Sequence, residues 1–257
     1  MSDKKTKKVS GAPDCGLYLR VGGSYAMLES TEDVMKDLKE IFFTIKHSHY
    51  EKNFHVLEVP HMPEIDDFVN KAKALCLFAR QSGIVALMRG NDAALAQSVE
   101  ADGIIVTDWD HYAKAREIFG PDGIVGLVCE NEPQHAADAF DLEADFISIG
   151  MKKGGLPSTE ALKFWSILSD SPALIEGAVT NDYAAYYVEA GAGFIDASDY
   201  IFNHPEGVMK GTVNMMYAID LALASRTNVP KGQVLVVDAD EDEGEKTSAN
   251  KTNRTIQ

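Results

Sequence analysis

The stretch Ala101-Asp-Gly-Ile-Ile105 is a short apolar run, and Trp109–Ile118 after it has the spacing of an amphipathic helix. This pair of patterns recurs about eight times between Leu17 and Phe202. Alternating strand and helix patterns predict a parallel sheet covered by helices, and eight such units in one domain predict a closed (β/α)8 TIM barrel. Because the active sites of such barrels lie on the loops that follow the strands, those loops are where functional residues are expected.

The other units can be assigned from the same signals. The remaining predicted strands are Leu17–Arg20, Phe54–Glu58, Ile84–Met88, Ile124–Val128, Ala144–Ile149, Pro172–Glu176 and Gly193–Ala197. Helix starts are predicted at Thr31 for a helix to Lys46, at Pro63 for a helix to Ser82, at Asn91 or Asp92, at Thr180 and, for the last long helix, at Pro205.

Length and composition suit one barrel with polar ends. The chain has 257 residues, of which 45% are hydrophobic, enough for a sizeable core. We expect the barrel to span residues 15–230. Residues 1–14 are a Lys-rich polar tail and residues 238–257 an acidic and polar tail. Runs of like charge without apolar anchors predict disorder at both ends.

Charge and cysteine usage narrow the classes of partner. The net charge of −16 argues against nucleic-acid binding, which needs a basic surface. No apolar run approaches the roughly 20 residues that span a bilayer, and the Lys-rich start does not resemble a secretory signal, so no membrane partner is expected. The three widely spaced cysteines, Cys15, Cys76 and Cys129, form neither a zinc pattern nor a disulfide framework, which favours the cytoplasm.

Basic side chains at predicted strand ends are candidates for anion binding. Arg20 and Arg89 end the first and third strands and could point into the mouth of the barrel as a clamp. Lys152 and Lys153 precede Gly154–Gly155, so two cations meet a flexible turn after the sixth strand. The alternative for the two lysines is a solvated loop without a ligand.

The order of several short motifs resembles the thiamine phosphate synthase family, including its TenI-type thiazole tautomerase relatives. The resemblance runs from about Ile84 to Ile201. It rests on Glu100–Ile105, Asp110, Ile124–Val125–Gly126, Glu143–Ala144–Asp145–Phe146 through Gly150, Pro172–Gly177 and Val188–Phe194. The match in the first two units is only in outline.

The resemblance implies a condensation. An aminopyrimidine diphosphate loses pyrophosphate, and a thiazole phosphate attacks the resulting carbocation. Mg²⁺ would be held by hard oxygen ligands and the leaving group neutralised by cations, while glycine-rich turns hold the substrate phosphate. The implied site residues are Asp110, Asp92 and Asn91 for the metal, Lys152 and Lys153 for catalysis, and Gly177 and Ser198 for phosphate. Arg20 and Arg89 are added as phosphate-binding candidates from their positions at strand ends.

Several loops depart from the family pattern. The loop after the second strand, Leu57–His61, lacks the expected Arg and Lys, and Asn91 stands where a metal-binding Asp is expected, with Asp92 next to it. Asp92 and Asp110 are also placed to cap helices. Cys129 is more simply interpreted as a buried, inert thiol than as a catalytic acid or base.

Two hypotheses therefore remain. The chain is a transferase or isomerase acting on a small phosphorylated heterocycle, or it is a non-catalytic phosphate-binding or regulatory relative on the same barrel. A homo-oligomer is compatible with both hypotheses, because barrels of this kind often pair through their outer helices.

Overall fold

The predicted barrel is confirmed. A computed structural model describes residues 15–21, 31–52, 54–151 and 154–227. In this part of the chain the strands form a closed parallel barrel in the order β1 to β8, with neighbouring strands paired throughout. The predicted tails, residues 1–14 and 238–257, and the predicted end of the barrel at residue 230 lie outside the described residues.

The elements alternate as the sequence patterns predict. The strands are β1 Gly16–Arg20, β2 Val56–Pro60, β3 Val85–Arg89, β4 Gly103–Val106, β5 Ile124–Glu130, β6 Phe146–Gly150, β7 Ala173–Ile175 and β8 Phe194–Asp196. The helices are α1 Thr31–Lys46, α2 Phe68–Gln81, α3 Ala93–Ser98, α4 Tyr112–Phe119, α5 Pro133–Asp141, α6 Glu160–Leu168, α7 Asn181–Glu189, α8 Ser198–Phe202 and α9 Val208–Thr227. Short 3-10 helices lie at His49–Lys52 and Trp109–His111.

Two predicted helix starts are wrong, and the backbone explains both. The helix predicted from Pro63 begins only at Phe68, because Asp67 has φ 57° and the residues before it form turns. The last helix, predicted from Pro205, begins only at Val208, because Gly207 has φ 88°, and the short α8 has already ended at Phe202. A right-handed helix cannot run through a residue with positive φ.

The buried apolar side chains form two clusters. The larger one lies between strands and helices, and a smaller one inside the barrel consists of Tyr18, Val56, Leu87, Ile105, Phe146, Leu174 and Phe194. The ring of Phe146 lies against Gly126 on the neighbouring strand, where any added Cβ would overlap it. The interior is therefore a packed core and not a channel.

Two aspartates at the amino-terminal ends of strands tie neighbouring strands together. Asp102 donates its N–H to the Ala86 carbonyl at 2.8 Å and accepts the Ala86 N–H on Oδ2 at 2.8 Å. Asp145 makes the same pair of bonds with Val125, at 3.1 and 2.8 Å. The Ala-Asp motifs that carry the family resemblance therefore hold the face of the barrel that is opposite to the expected active site.

No helix among the described residues is long and apolar enough to cross a membrane. Cys15, Cys76 and Cys129 are all buried, and the described residues contain no disulfide between them. Burial raises the pKa of the Cys129 thiol to about 12, which confirms the simpler prediction of a buried, unreactive thiol.

Replacing Asp102 by Ala should lower the free energy of unfolding by about 1–2 kcal/mol, because it removes a charge-assisted hydrogen bond to the Ala86 N–H. Urea unfolding followed by circular dichroism measures this loss. Asp66→Ala, which removes an exposed carboxylate, is the matched control and should leave the midpoint nearly unchanged. Equal effects of the two changes would show that the strand tie contributes nothing.

Candidate functional site

Five charged side chains meet at the carboxyl ends of the strands. Arg20 ends β1, Glu58 lies in β2, Arg89 ends β3, Glu176 follows β7 and Asp196 ends β8. They lie at the opposite end of the barrel from Asp102 and Asp145. Parallel pairing from β8 through β1 and β2 to β3 brings four of these strand ends together.

We call these five side chains the ionic layer. Glu58 lies at its centre and is fully buried. Its Oε1 is 3.1 Å from Arg20 Nε and accepts a hydrogen bond from Arg89 Nε at 2.8 Å. Its Oε2 accepts a hydrogen bond from the Tyr18 hydroxyl at 2.5 Å. Burial, followed by the Glu58 charge, raises the pKa of Tyr18 well above its usual value, so the phenol remains a donor.

Glu176 binds the outer side of the same two arginines. Its Oε2 is 3.0 Å from Arg20 and its Oε1 is 2.5 Å from Arg89, and the Ser148 hydroxyl donates to Oε1. Although burial alone would raise it, the guanidinium groups of Arg89 and Arg20 lower the pKa of Glu176 to about 2. This carboxylate is therefore ionised at neutral pH.

Asp196 is the third carboxylate and is fully buried. Its Oδ1 accepts hydrogen bonds from the Ser198 hydroxyl at 2.5 Å and the Ser198 N–H at 3.1 Å, and its Oδ2 is 3.2 Å from Arg20. Burial outweighs these contacts and raises the pKa of Asp196 to about 6. The layer therefore contains one carboxyl group that titrates close to neutral pH.

Arg20 and Arg89 lie at the mouth of the barrel, where the sequence places them. Their side chains are only 19% and 17% exposed, and three carboxylates surround the two guanidinium groups. Nearby, the Ser198 hydroxyl oxygen accepts a hydrogen bond from the backbone N–H of Arg20 at 2.7 Å, and the same hydroxyl donates a hydrogen bond to Asp196. Phosphate binding by these residues remains a prediction, and an incoming phosphate would compete with carboxylates already in place.

Gly177 follows Glu176 and lies against the preceding loop. Its φ is 135°, and a Cβ at this position would come within 2.7 Å of the Gly155 carbonyl oxygen. The turn after β6 therefore packs closely on the turn after β7, which brings the glycines of both turns together. Lys152 and Lys153, the predicted catalytic residues on the first of these turns, lie outside the described residues.

The three predicted metal ligands have other contacts. Asn91 Oδ1 accepts hydrogen bonds from the Thr107 N–H and hydroxyl, both at 3.1 Å, and from the Asp108 N–H at 2.9 Å. Asp92 caps α3 by accepting the Leu95 N–H at 2.9 Å, as predicted. Asp110 is exposed and does not cap α4: it lies inside the 3-10 helix Trp109–His111, which Asp108 caps, and His111 occupies the cap position of α4.

The described donors do not fit a magnesium site built by the protein alone. The Asn91 oxygen already accepts three hydrogen bonds and has no lone pair left for a cation. Among the described residues no group of three His, Cys, Asp or Glu side chains could hold a metal. Magnesium therefore remains a prediction that depends on oxygens brought by a ligand.

A cavity of about 650 Å³ opens beside the ionic layer, between the loops that follow β2, β3 and β4. This volume is in the range of small-molecule sites. Arg89 forms part of its wall, and Lys114 of α4 adds an exposed cation. The other lining residues are Pro60, His61, Gly90, Asn91, Asp92, Ala93, Ala94, Thr107 and His111.

Sequence reasoning did not identify Glu58, Glu176, Asp196 or Lys114 as parts of the site. A signal for two of them is present. Glu58 interrupts the apolar run Val56–Val59, and Asp196 interrupts the apolar run Phe194–Ala197. A charge inside a strand that is otherwise apolar must find a buried partner, which marks it as part of an ion pair. Which partner it finds cannot be read from the sequence.

The comparisons with known proteins agree with the sequence motifs. Residues 62–195 match the family model described as thiamine monophosphate synthase. A thiamine-phosphate synthase of Hyphomonas neptunium is 33% identical over 144 residues, which cover 52% of this chain and 64% of that protein. One of Rhodospirillum centenum is 29% identical over 135 residues, 49% of this chain and 65% of the relative. The matched part is thus less than two thirds of the length of these relatives.

A solved structure shares the fold. The thiamine phosphate pyrophosphorylase from Pyrococcus furiosus superposes with a TM-score of 0.63 over 82% of this chain and 98% of its own, at 16% identity. This likeness concerns the barrel alone. Arg20, Glu58 and Asp196 of the ionic layer lie outside the range that matches the family, whereas Arg89 and Glu176 lie inside it.

Replacing Glu58 by Gln should lower the free energy of unfolding by about 3–5 kcal/mol, because it leaves two buried guanidinium groups short of their central carboxylate. Glu100→Gln is the matched control. Glu100 also binds two cations, Lys73 at 2.7 Å and Arg80 at 3.4 Å, but on the surface. Its unfolding midpoint should stay close to that of the wild type. If Glu58→Gln shifted the unfolding midpoint as little as Glu100→Gln does, that result would contradict a buried ionic layer.

Asp196→Asn should change how stability depends on pH. Because the folded-state pKa of Asp196 is raised to about 6, the protonated carboxyl stabilises the fold below the unfolded pKa. That stability is lost as the pH rises from about 4 through 6. The difference in unfolding free energy between wild type and Asp196→Asn should therefore fall over this range. Urea unfolding at several pH values measures it, and a pH-independent difference would contradict the assignment.

Proposed function

Because this chain belongs to the thiamine monophosphate synthase family, we propose that its barrel binds a small phosphorylated heterocycle of thiamine biosynthesis without catalysing the condensation. The observation that carries this proposal is the neutralisation of Arg20 and Arg89 by three carboxylates at the mouth of the barrel. A non-catalytic role as a binding or regulatory relative follows from the chemistry of that layer.

The departure of pyrophosphate requires positive groups that are free to meet it. Cations stabilise a leaving group when their charge is directed at the atoms where negative charge develops. Here Arg89 is directed at Glu58 and Glu176, at 2.8 and 2.5 Å. A diphosphate close to this layer would face more carboxylates than guanidinium groups, which disfavours formation of the leaving group.

The cavity beside the layer supports binding of a smaller anion. Lys114 is exposed on its wall, so a single phosphate group there would meet a positive charge. The rest of the wall mixes imidazole, amide, hydroxyl and apolar groups with the carboxylate of Asp92, which suits a polar heterocycle. A thiazole phosphate has this combination of one phosphate and one small ring.

A second candidate is the condensation itself, a thiamine-phosphate synthase type of transferase reaction. The observation in its favour is that Asn91 and Asp92, predicted as metal ligands, line the same cavity as Lys114. In this candidate Mg²⁺ would be held by Asp92 and Asp110 together with the diphosphate, and Lys152 and Lys153 would face the leaving group.

Thermal shift of the full-length protein tests the binding proposal. Thiazole phosphate at about 100 times its dissociation constant should raise the melting temperature by about 5–10 °C, since ligand binding to the folded state adds about 2.7 kcal/mol. Lys114→Ala should weaken this binding about tenfold or more. Lys163→Ala, which removes an exposed lysine on α6, is the control and should bind like the wild type.

The same preparations decide between the two candidates when aminopyrimidine diphosphate and Mg²⁺ are added. The binding proposal expects no thiamine phosphate above the rate without protein. Mg²⁺-dependent product formation that disappears in Asp110→Ala would establish the transferase instead. A melting temperature that none of the ligands changes would contradict both candidates.

A further inference from the structure

The last helix, α9, is apolar around most of its circumference. Lys210, Asp220 and Arg226 are the charged residues in its twenty positions. One side packs into the core through Met215, Met216 and Ile219, all at most 2% exposed. A helix that is apolar on all sides is normally covered on all sides.

The opposite side of α9 carries a row of exposed apolar residues. Met209, Val213, Tyr217 and Leu221 follow one another at a spacing of four and are 48%, 45%, 59% and 54% exposed. At this spacing the four side chains form one ridge on the helix surface. We call them the α9 row. Beside it lies a groove of about 440 Å³ between α9 and α7. Besides Tyr217 and Leu221 it is lined by three alanines, Ala185, Ala218 and Ala222, and by the polar residues Asn181, Glu189, Asn214 and Ser225.

We propose that the α9 row is the contact surface between two copies of this chain. Its area supports this occupant. A half-exposed tyrosine offers about 100 Å² of surface. The α9 row together with Tyr186, 52% exposed on α7, therefore offers roughly 400–500 Å². A standard interface buries about 800 Å² per partner, of which a little over half is apolar.

The row is also complementary to itself. When the four-residue ridges of two antiparallel helices align across a two-fold axis, Val213 faces Tyr217 of the second copy, and Met209 faces its Leu221. A small side chain then meets a large one on both sides of the axis, and the two outer pairs are of similar size. The adjoining groove gives the tyrosine ring room to settle beside α7.

Charge determines how this contact should respond to salt. The chain carries a net charge of −16, so two copies repel each other, while the row itself consists of apolar side chains. Screening of the repulsion should therefore strengthen the dimer. We expect its dissociation constant to fall when the salt concentration rises from about 0.05 M to about 0.5 M. An interface held by surface ion pairs would show the opposite trend.

Sedimentation equilibrium of the full-length chain tests the proposal. The wild type should be a dimer that dissociates on dilution, and Tyr217→Glu should raise the dissociation constant by about 30-fold or more. Phe140→Glu is the matched control, because Phe140 is an aromatic residue on α5 that is 44% exposed. It should dimerise like the wild type. Thermal melts of both variants confirm that exposed substitutions leave the fold intact.

Three results would overturn the proposal. The first is a monomeric wild type, whether the row is bare or covered by the apolar segment 234–237 of the same chain. The second is a Tyr217→Glu variant that dimerises as well as the wild type, which would assign another face. The third is equal weakening by Tyr217→Glu and Phe140→Glu, which would show non-specific association.

Discussion

The open end of the barrel depends on the carboxylate of Glu58, which has no contact with solvent. A buried charge is tolerated only when it is paired and hydrogen-bonded, and Glu58 obtains this from Arg20, Arg89 and Tyr18. The two arginines are held in turn by Glu176, and Arg20 also by Asp196. Because removing any one of these side chains would leave another buried charge without a partner, the layer behaves as one unit.

The ionic layer occupies the mouth of the barrel, so the cavity that could bind a ligand lies beside it. In the described residues the cavity lies to one side, over the loops after β2, β3 and β4, with Arg89 shared between the cavity and the layer. The family reaction needs cations directed at a leaving group, whereas here two guanidinium groups are directed at carboxylates. This difference is the physical basis of the proposal that the barrel holds a small anion and does not catalyse the condensation.

The two ends of the barrel were not equally accessible to sequence reasoning. The motifs Ala101–Asp102 and Ala144–Asp145 identified the family, and in the structure they tie strands at the amino-terminal face. Their bonds join residues about 16–20 positions apart in consecutive units. At the other face, Glu58 pairs with residues 31 and 38 positions away, and Arg20 meets Asp196 across the closure of the barrel. Periodicity does not identify partners at such separations.

The sequence by itself determined the (β/α)8 barrel, the start of α1 at Thr31, the cap at Asp92, and the placement of Arg20 and Arg89 at strand ends, because these follow from local patterns of burial and hydrogen bonding. It did not determine the starts of α2 and α9, which depend on the positive φ of Asp67 and Gly207. Only the tertiary structure decided that Arg20 and Arg89 meet carboxylates. Closing the barrel brings its first strand against its last, and the buried charges must then pair with whatever lies beside them.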